Sequence, residues 1–400
     1  MGCCICSCSP SLELLVPVLQ KDELFQEGSW TYRIPALLYI KTSRTILAFT
    51  EQRAGKKDES AKRIVMQRGA YDDAKRTVQW EPMQIVVENV KLDTQKARAV
   101  PHRPMNPCPV YDEVTGNVVL VFIAVEGNVS EQEQIRKKEN KARLCQVSSA
   151  DNGVSWGLVT DLTDSATVPE NWATFAVGPG HGLQLYEVES LVIPAHAYWI
   201  SVDKKSTSPH PFCFISDDHG RTWRRGNYLA ENAGECQMVE LKSQGKPVLY
   251  CNARSKEQCR VQAVSDIEGK DFSHGLISKL VEPCHSGGCH GSVIGFPCPA
   301  SVQSEQDTWL LYSHPTSCCC RKDLGVYLNR EPLNPESWGE STVICKGYCA
   351  YSDLQYMGPG PEGSPLFCCL FEFGKKCNYE IIFLMFTLKE VFPSESHAPE

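Results

Sequence analysis

A chain of 400 residues with a net charge of −8 has material for a large core, arranged as two domains or as one large all-β domain. Its 40 Lys and Arg residues form no basic stripe, which argues against nucleic acid as a partner, and no apolar run is long enough to cross a membrane. The 21 cysteines are odd in number and scattered, without the framework of a small disulfide-bonded domain, so most are read as reduced core thiols.

The amino terminus, Met1 to Cys8, lacks the positive start of a signal peptide, and Pro10, Ser11 and Glu13 break its apolar stretch. Gly2 is the position that accepts myristate once Met1 is removed, although Cys6 stands where Ser or Thr is usual. Cys3 and Cys4, with Cys6 and Cys8, are palmitate acceptors, and two acyl chains give stable anchoring where one does not. An unmodified tail is the alternative.

A first short strand is expected over Val16 to Gln20, then one over Tyr32 to Ile40. Tyr32-Arg33-Ile34-Pro35 puts a guanidinium at the mouth of that strand, and Pro35 should hold Ile34 in extended geometry. A planar fork fixed this way suits a carboxylate. Thr45 to Thr50 is the next strand, and a polar, Gly-containing loop, 54–60, follows it. Strands are read at Ile64 to Arg68, Val78 to Val87 and Val118 to Val125. Between the last two, Met105-Asn106-Pro107-Cys108-Pro109 reads as a rigid turn. Glu131 to Lys141 is the best helix candidate, short and solvated.

Ser149-Ala-Asp151-Asn-Gly153-Val-Ser155-Trp156 recurs as Ser216-Asp-Asp218-His-Gly220-Arg-Thr222-Trp223, with a degraded copy at Ser265 to Phe272. The grammar is that of a hairpin turn: Asp and Ser oxygens cap amides, Gly takes positive φ, and Trp anchors the hairpin. Propeller blades take about 40–50 residues, so the copies need not lie on successive blades. Asp151, Trp156, Asp218 and Trp223 are therefore structural. Short strands with turn punctuation continue from Leu183 to Leu388, and helix is nearly absent, which favours a closed or repetitive β architecture.

With Tyr-Arg-Ile-Pro and two such Asp boxes on one chain, the sequence resembles the sialidases (exo-α-neuraminidases), the animal cytosolic and plasma-membrane type most, from about Pro17 to Pro393. Phe49-Thr-Glu-Gln-Arg53, Met105-Asn-Pro107, Thr174-Phe-Ala-Val-Gly-Pro-Gly-His181, Leu311-Tyr-Ser-His-Pro-Thr316 and Tyr351-Ser-Asp-Leu354 carry the likeness. The resemblance implies an all-β six-bladed β-propeller over 17–395, a tail at 1–16 and another at 396–400. It implies retaining hydrolysis of terminal sialic acids from gangliosides, glycoproteins and oligosaccharides, with no cofactor and no metal. Arg33, Arg254 and Arg321 match the family's carboxylate-binding triad, and Glu372 the carboxylate that orients the first of them. Tyr351 matches the nucleophile, Glu235 its base and Asp58 the acid/base, whose pKa a water-excluded site would raise. Arg53, Met105 and Asn106 fall on the N-acetyl and O4 side of the substrate. Glu131, His196 and Tyr198 fall on the glycerol side, where His196 replaces the Tyr of close relatives. The tail adds peripheral membrane contact as a further expectation.

Other readings compete. Cys284-His285 and Cys289-His290, with Cys318-Cys-Cys320, invite structural zinc, but adjacent pairs do not match the usual ligand spacing. A lectin-like or catalytically weak propeller would keep the arginines and lose the catalytic set, which is present here. A WD40 or kelch interaction module lacks its repeat signatures here.

Overall fold

The computed structural model describes residues 12–92, 101–243, 245–266, 273–299, 307–375 and 378–396. Gly2, Cys3 and Cys4 lie outside them, as does most of the degraded Asp-box copy. Among the described residues the strands form five antiparallel sheets, the largest of eight strands. That sheet is two blades sharing one long strand, Thr342–Pro359, so the blades number six. The long strand is the outer strand of the fifth blade at its start and the innermost strand of the sixth at its end. The innermost strands of the first four blades are Thr31–Ile40, His102–Asp112, Trp172–Val177 and Ala233–Ser243, and of the fifth Ser292–Pro297. The ring closes because Gln20–Phe25 pairs with Asn378–Thr387, placing the chain's early and late strands in one blade.

There is no single core. Six apolar clusters lie between blades, each drawing side chains from two neighbours: Leu47 and Phe49 against Val118 and Leu120, for example, or Met238 and Leu249 against Val192 and Cys213. A strand buried on both faces can be apolar throughout, which explains the unbroken run Val118 to Val125. The described cysteines are free, and most are buried in these clusters.

Both Asp boxes have the expected turn. Asp151 accepts from the Ser155 amide at 2.9 Å and its hydroxyl at 2.6 Å, and Asp218 from the Thr222 amide and hydroxyl at 2.8 and 2.6 Å. Gly153 and Gly220 have φ of +83° and +81°. They lie on successive blades, the second and third. Long loops, from Trp156 to Trp172 and from Gln184 to Leu191, stretch the interval beyond one blade's length. Each Trp reaches the preceding blade: Trp156 packs edge-on against Phe49, and Trp223 Nε1 donates to Gln146 at 2.8 Å.

Several expectations need correction. The first strands are Glu13–Leu14 and Gln20–Phe25, not Val16 to Gln20. Leu12, Leu14 and Val16 pack on the core between the fifth and sixth blades, so residues assigned to the tail belong to the propeller. Met105 to Pro109 is part of a strand with a bulge, not a turn. Its prolines are tolerated because this innermost strand pairs on one side only. The helix ends early, at Glu131–Lys137, where Lys138 takes a φ of 57°.

One carboxylate crosses the central channel. Asp353 accepts from the Leu37 amide of the first blade at 2.7 Å and from Ser292 Oγ of the fifth at 2.8 Å. His181 Nδ1, on the segment after Trp172–Val177, lies 2.7 Å from it. Asp353→Ala leaves these buried donors without an acceptor. It should lower the unfolding free energy by about 3 kcal/mol or more. An unchanged urea midpoint would show that the donors find other partners.

A second buried cluster underlies the channel mouth. Arg260 Nη1 lies 3.0 Å from Glu282 Oε1, and His314 Nε2 lies 3.3 Å from Glu282 Oε2. Glu282 also accepts from the Cys289 amide at 2.8 Å, which fixes the loop 283–290. Burial alone would raise the Glu282 carboxyl. Arg260, then His314 and the Cys289 amide, more than offset it and bring the pKa to about 2. The unfolded value is about 4.3. A group depressed in the folded state stabilises above that value, and the contribution is lost as pH falls towards about 2. Glu282→Gln should be less stable than wild type at neutral pH, with a gap that narrows in urea titrations below about pH 4.3. A pH-independent gap would contradict this.

Candidate active site

Arg33 projects from a bulge in the first blade's innermost strand, between Arg33 and Ala36. Pro35 does not hold Ile34 extended: Ile34 has a φ of 62°. A β-branched residue there costs on the order of 1–3 kcal/mol. Glu372, on the sixth blade, accounts for it. Its Oε1 accepts from Arg33 Nε at 2.6 Å and from the Ile34 amide at 2.8 Å, and both require the turned backbone. Glu372 Oε2 accepts from the Tyr351 amide at 3.2 Å, so one carboxylate places both Arg33 and Tyr351.

Three guanidiniums surround the Tyr351 ring. Arg33 and Arg321 lie over it at 5.6 and 5.3 Å from Cζ to centroid, and Arg254 Nη1 donates to its oxygen at 3.0 Å. Arg254 is steadied by the Gly287 carbonyl at 2.9 Å from Nη2, and Arg321 Nη2 by the Gly288 carbonyl at 2.9 Å. Tyr351 Oη donates to Glu235 Oε1 at 2.5 Å, while Glu235 Oε2 accepts from Arg254 at 2.7 Å. Burial, then Glu235, raises the phenol well above its ordinary pKa, against the pull of Arg254 and Arg321. Burial would also raise Glu235. Arg254 first, then His290 and His196, more than reverse that and hold it well below the usual carboxylate range. The resting site therefore keeps the proton on the phenol and the charge on Glu235.

Across the cavity, Arg53 is 1 % exposed and Asp58 62 %, with Arg53 Nη1 2.5 Å from Asp58 Oδ1. The water-excluded setting expected for Asp58 is absent from this arrangement. Arg53 Nη2 also donates to Glu51 Oε2 at 2.6 Å, and the Asn106 amide, at its bulge, donates to Glu51 Oε1 at 2.7 Å. Met105 and Asn106 line the cavity, whose volume is about 280 Å³. Glu131 opens its helix, capped by Ser130, which accepts from the Glu133 amide at 3.0 Å. His196 Nε2 lies 4.0 Å from Glu131 Oε1, and both face the same cavity. Tyr198 lines an adjoining cleft of about 250 Å³, which shares Glu131, His196, Glu235 and Arg254 with the first. Glu372 sits behind Arg33 and does not line the cavity.

Some residues escaped sequence reasoning. Glu51 lies two positions from Arg53, so both point to one face of the strand, a period-two signal that was readable. Tyr379 stacks under Arg33 at 4.9 Å, and nothing in its local sequence marks it. His290, weighed only as a zinc ligand, is wholly buried with its ring 5.4 Å from that of Tyr351, and burial lowers its pKa to about 3. Cys284, by contrast, is exposed, so the two Cys-His pairs face different surroundings. No group of three or more metal-ligating side chains is found among the described residues.

A family profile described as a BNR repeat-like domain matches residues 44–361. The chain is 51% identical to Sialidase-2 of Mus musculus over 383 residues, covering 94% of this chain and 98% of that protein. It is 40% identical to Sialidase-3 of Bos taurus over 418 residues, covering 94% and 93%. The intramolecular trans-sialidase from Ruminococcus gnavus, solved with oseltamivir carboxylate, shares the fold with a TM-score of 0.69 at 16% identity, covering 94% of this chain and 98% of that one. A six-bladed propeller with this channel mouth, and relatives matched over nearly their whole length, make the chain a member of the sialidase family.

Proposed function

We propose that the chain is a retaining exo-α-sialidase acting on terminal sialic acids. The contact triangle of Tyr351, Glu235 and Arg254 carries this reading. A sialoside bears a carboxylate on its anomeric carbon. Arg33, Arg254 and Arg321 would receive that group, with Glu372 holding Arg33 in place. A carboxylate nucleophile would be repelled by the substrate's own charge; a phenol is not, provided its proton leaves during attack. Glu235 is the base. Its low basicity comes chiefly from Arg254, so a substrate carboxylate that shares Arg254 weakens the pull and makes Glu235 a better acceptor. Proton transfer is thereby coupled to binding.

Asp58 protonates the leaving oxygen and then activates water on the resulting tyrosyl-enzyme. The bound sialoside, covering its exposed carboxyl, supplies the desolvation that this acid role needs. Arg53, Met105 and Asn106 select the N-acetyl and O4 side, and Glu131, His196 and Tyr198 the glycerol tail. A fluorogenic 2-aryl α-sialoside tests these roles. Tyr351→Phe should lose about 10³-fold or more in kcat. Asp58→Ala should keep partial activity, because an aryl group leaves with little acid help. Binding of sialic acid without release of fluorophore by wild type would favour a lectin-like propeller.

Among the described residues no helix is long and apolar enough to cross a membrane. Acylation at Gly2, Cys3 and Cys4 would instead bring the active site to a bilayer surface, with gangliosides as the favoured substrates. Deleting residues 2–8 should lower both vesicle partition and ganglioside turnover while sparing the soluble aryl substrate. No change in either would refute the membrane role.

A further inference from the structure

The hairpin between Thr308–Pro315 and Lys322–Asn329 carries three consecutive cysteines at its tip, immediately before Arg321. Cys318 and Cys319 are exposed, and their sulfurs lie 3.7 Å apart. The same two residues support the neighbouring loop through their backbones. The Cys284 amide donates to the Cys318 carbonyl at 2.9 Å, and the His285 amide to the Cys319 carbonyl at 3.1 Å. That loop presents the Gly287 and Gly288 carbonyls that steady Arg254 and Arg321. A thiol pair in solvent is thus two hydrogen-bonded steps from two of the three guanidiniums.

We propose that Cys318 and Cys319 form a redox-active dithiol that a small aliphatic disulfide oxidises, and that closing the bond loosens Arg254 and Arg321. One thiolate attacks the external disulfide, RSSR, giving a mixed disulfide and RS⁻, which takes up the proton lost by the thiol. The second thiolate displaces the other RS⁻, which is likewise protonated. The dithiol gives up two electrons and two protons, and RSSR leaves as two RSH.

Adjacent Cα atoms are about 3.8 Å apart, below the roughly 4.4 Å minimum usual for a disulfide. The bond therefore encloses the 318–319 peptide in a small ring and turns its carbonyl away from the loop it supports. Strain of this kind also makes the bond easy to reduce, which suits a reversible modification. The buried thiols of the blade cores are shielded from the same reagent.

The effect on substrate rests on the carboxylate role proposed for Arg254 and Arg321. In the experiment, the full chain is treated with oxidised glutathione, peptide-mapped, and assayed on the 2-aryl α-sialoside before oxidation, after it, and after re-reduction. The expected result is a Cys318–Cys319 cross-link with a KM raised roughly tenfold, the loss of about one charge-assisted hydrogen bond. The rise should reverse with dithiothreitol and be absent in Cys318→Ser and Cys319→Ser. A cross-link elsewhere, no cross-link, or a cross-link with unchanged KM overturns the proposal. Arg321→Lys in the reduced state reports separately on the carboxylate role, which an unchanged KM there would refute.

Discussion

One carboxylate sets the geometry on which the site depends. Glu372 is wholly buried and accepts from the Arg33 side chain and from the amides of Ile34 and Tyr351. These donors come from the first and sixth blades, the two joined by ring closure. A buried carboxylate is costly unless its lone pairs are met, and here the partners that meet them are the residues that would face substrate. The left-handed Ile34 is the local strain this arrangement tolerates. Fold and site are coupled through the seam of the ring, not merely carried one by the other.

The electrostatics follow from the same economy of partners. Arg254 touches both the phenol and Glu235, and Arg53 touches both Glu51 and Asp58. Each cation is shared between two groups. An arriving anion on one side of the cavity therefore changes the proton affinity of a group it does not touch. The closely packed, half-desolvated mouth strengthens that coupling relative to water.

Most middle strands were legible in the sequence because apolar side chains recur where blades press on both faces. The run Val118 to Val125 is the clearest. The innermost strands were harder to read. Ala233–Ser243 and the latter half of Thr342–Pro359 carry no strand signal of their own, and within His102–Asp112 the segment Met105 to Pro109 reads as a turn. These strands pair on one side only, so they accept prolines and bulges, and they carry the polar residues of the channel. They break strand patterning where the chemistry lies. Arg33, Tyr351 and Glu235 were reached through family likeness, since their contacts span hundreds of positions. Glu51 escaped although its alternation with Arg53 marks it, whereas Tyr379 has no local mark and emerges only when the ring brings the blades to one axis.

The closing strand has a consequence for synthesis. The partner of Gln20–Phe25 is Asn378–Thr387, made only after the five intervening blades. During translation the first strand must wait, unpaired, while five blades emerge and stack. Arg33 meets Glu372 only after that residue has left the ribosome. A sialidase of this design cannot act on glycans before its sixth blade is made, and a chain broken anywhere before that blade lacks part of the site as well as the closure.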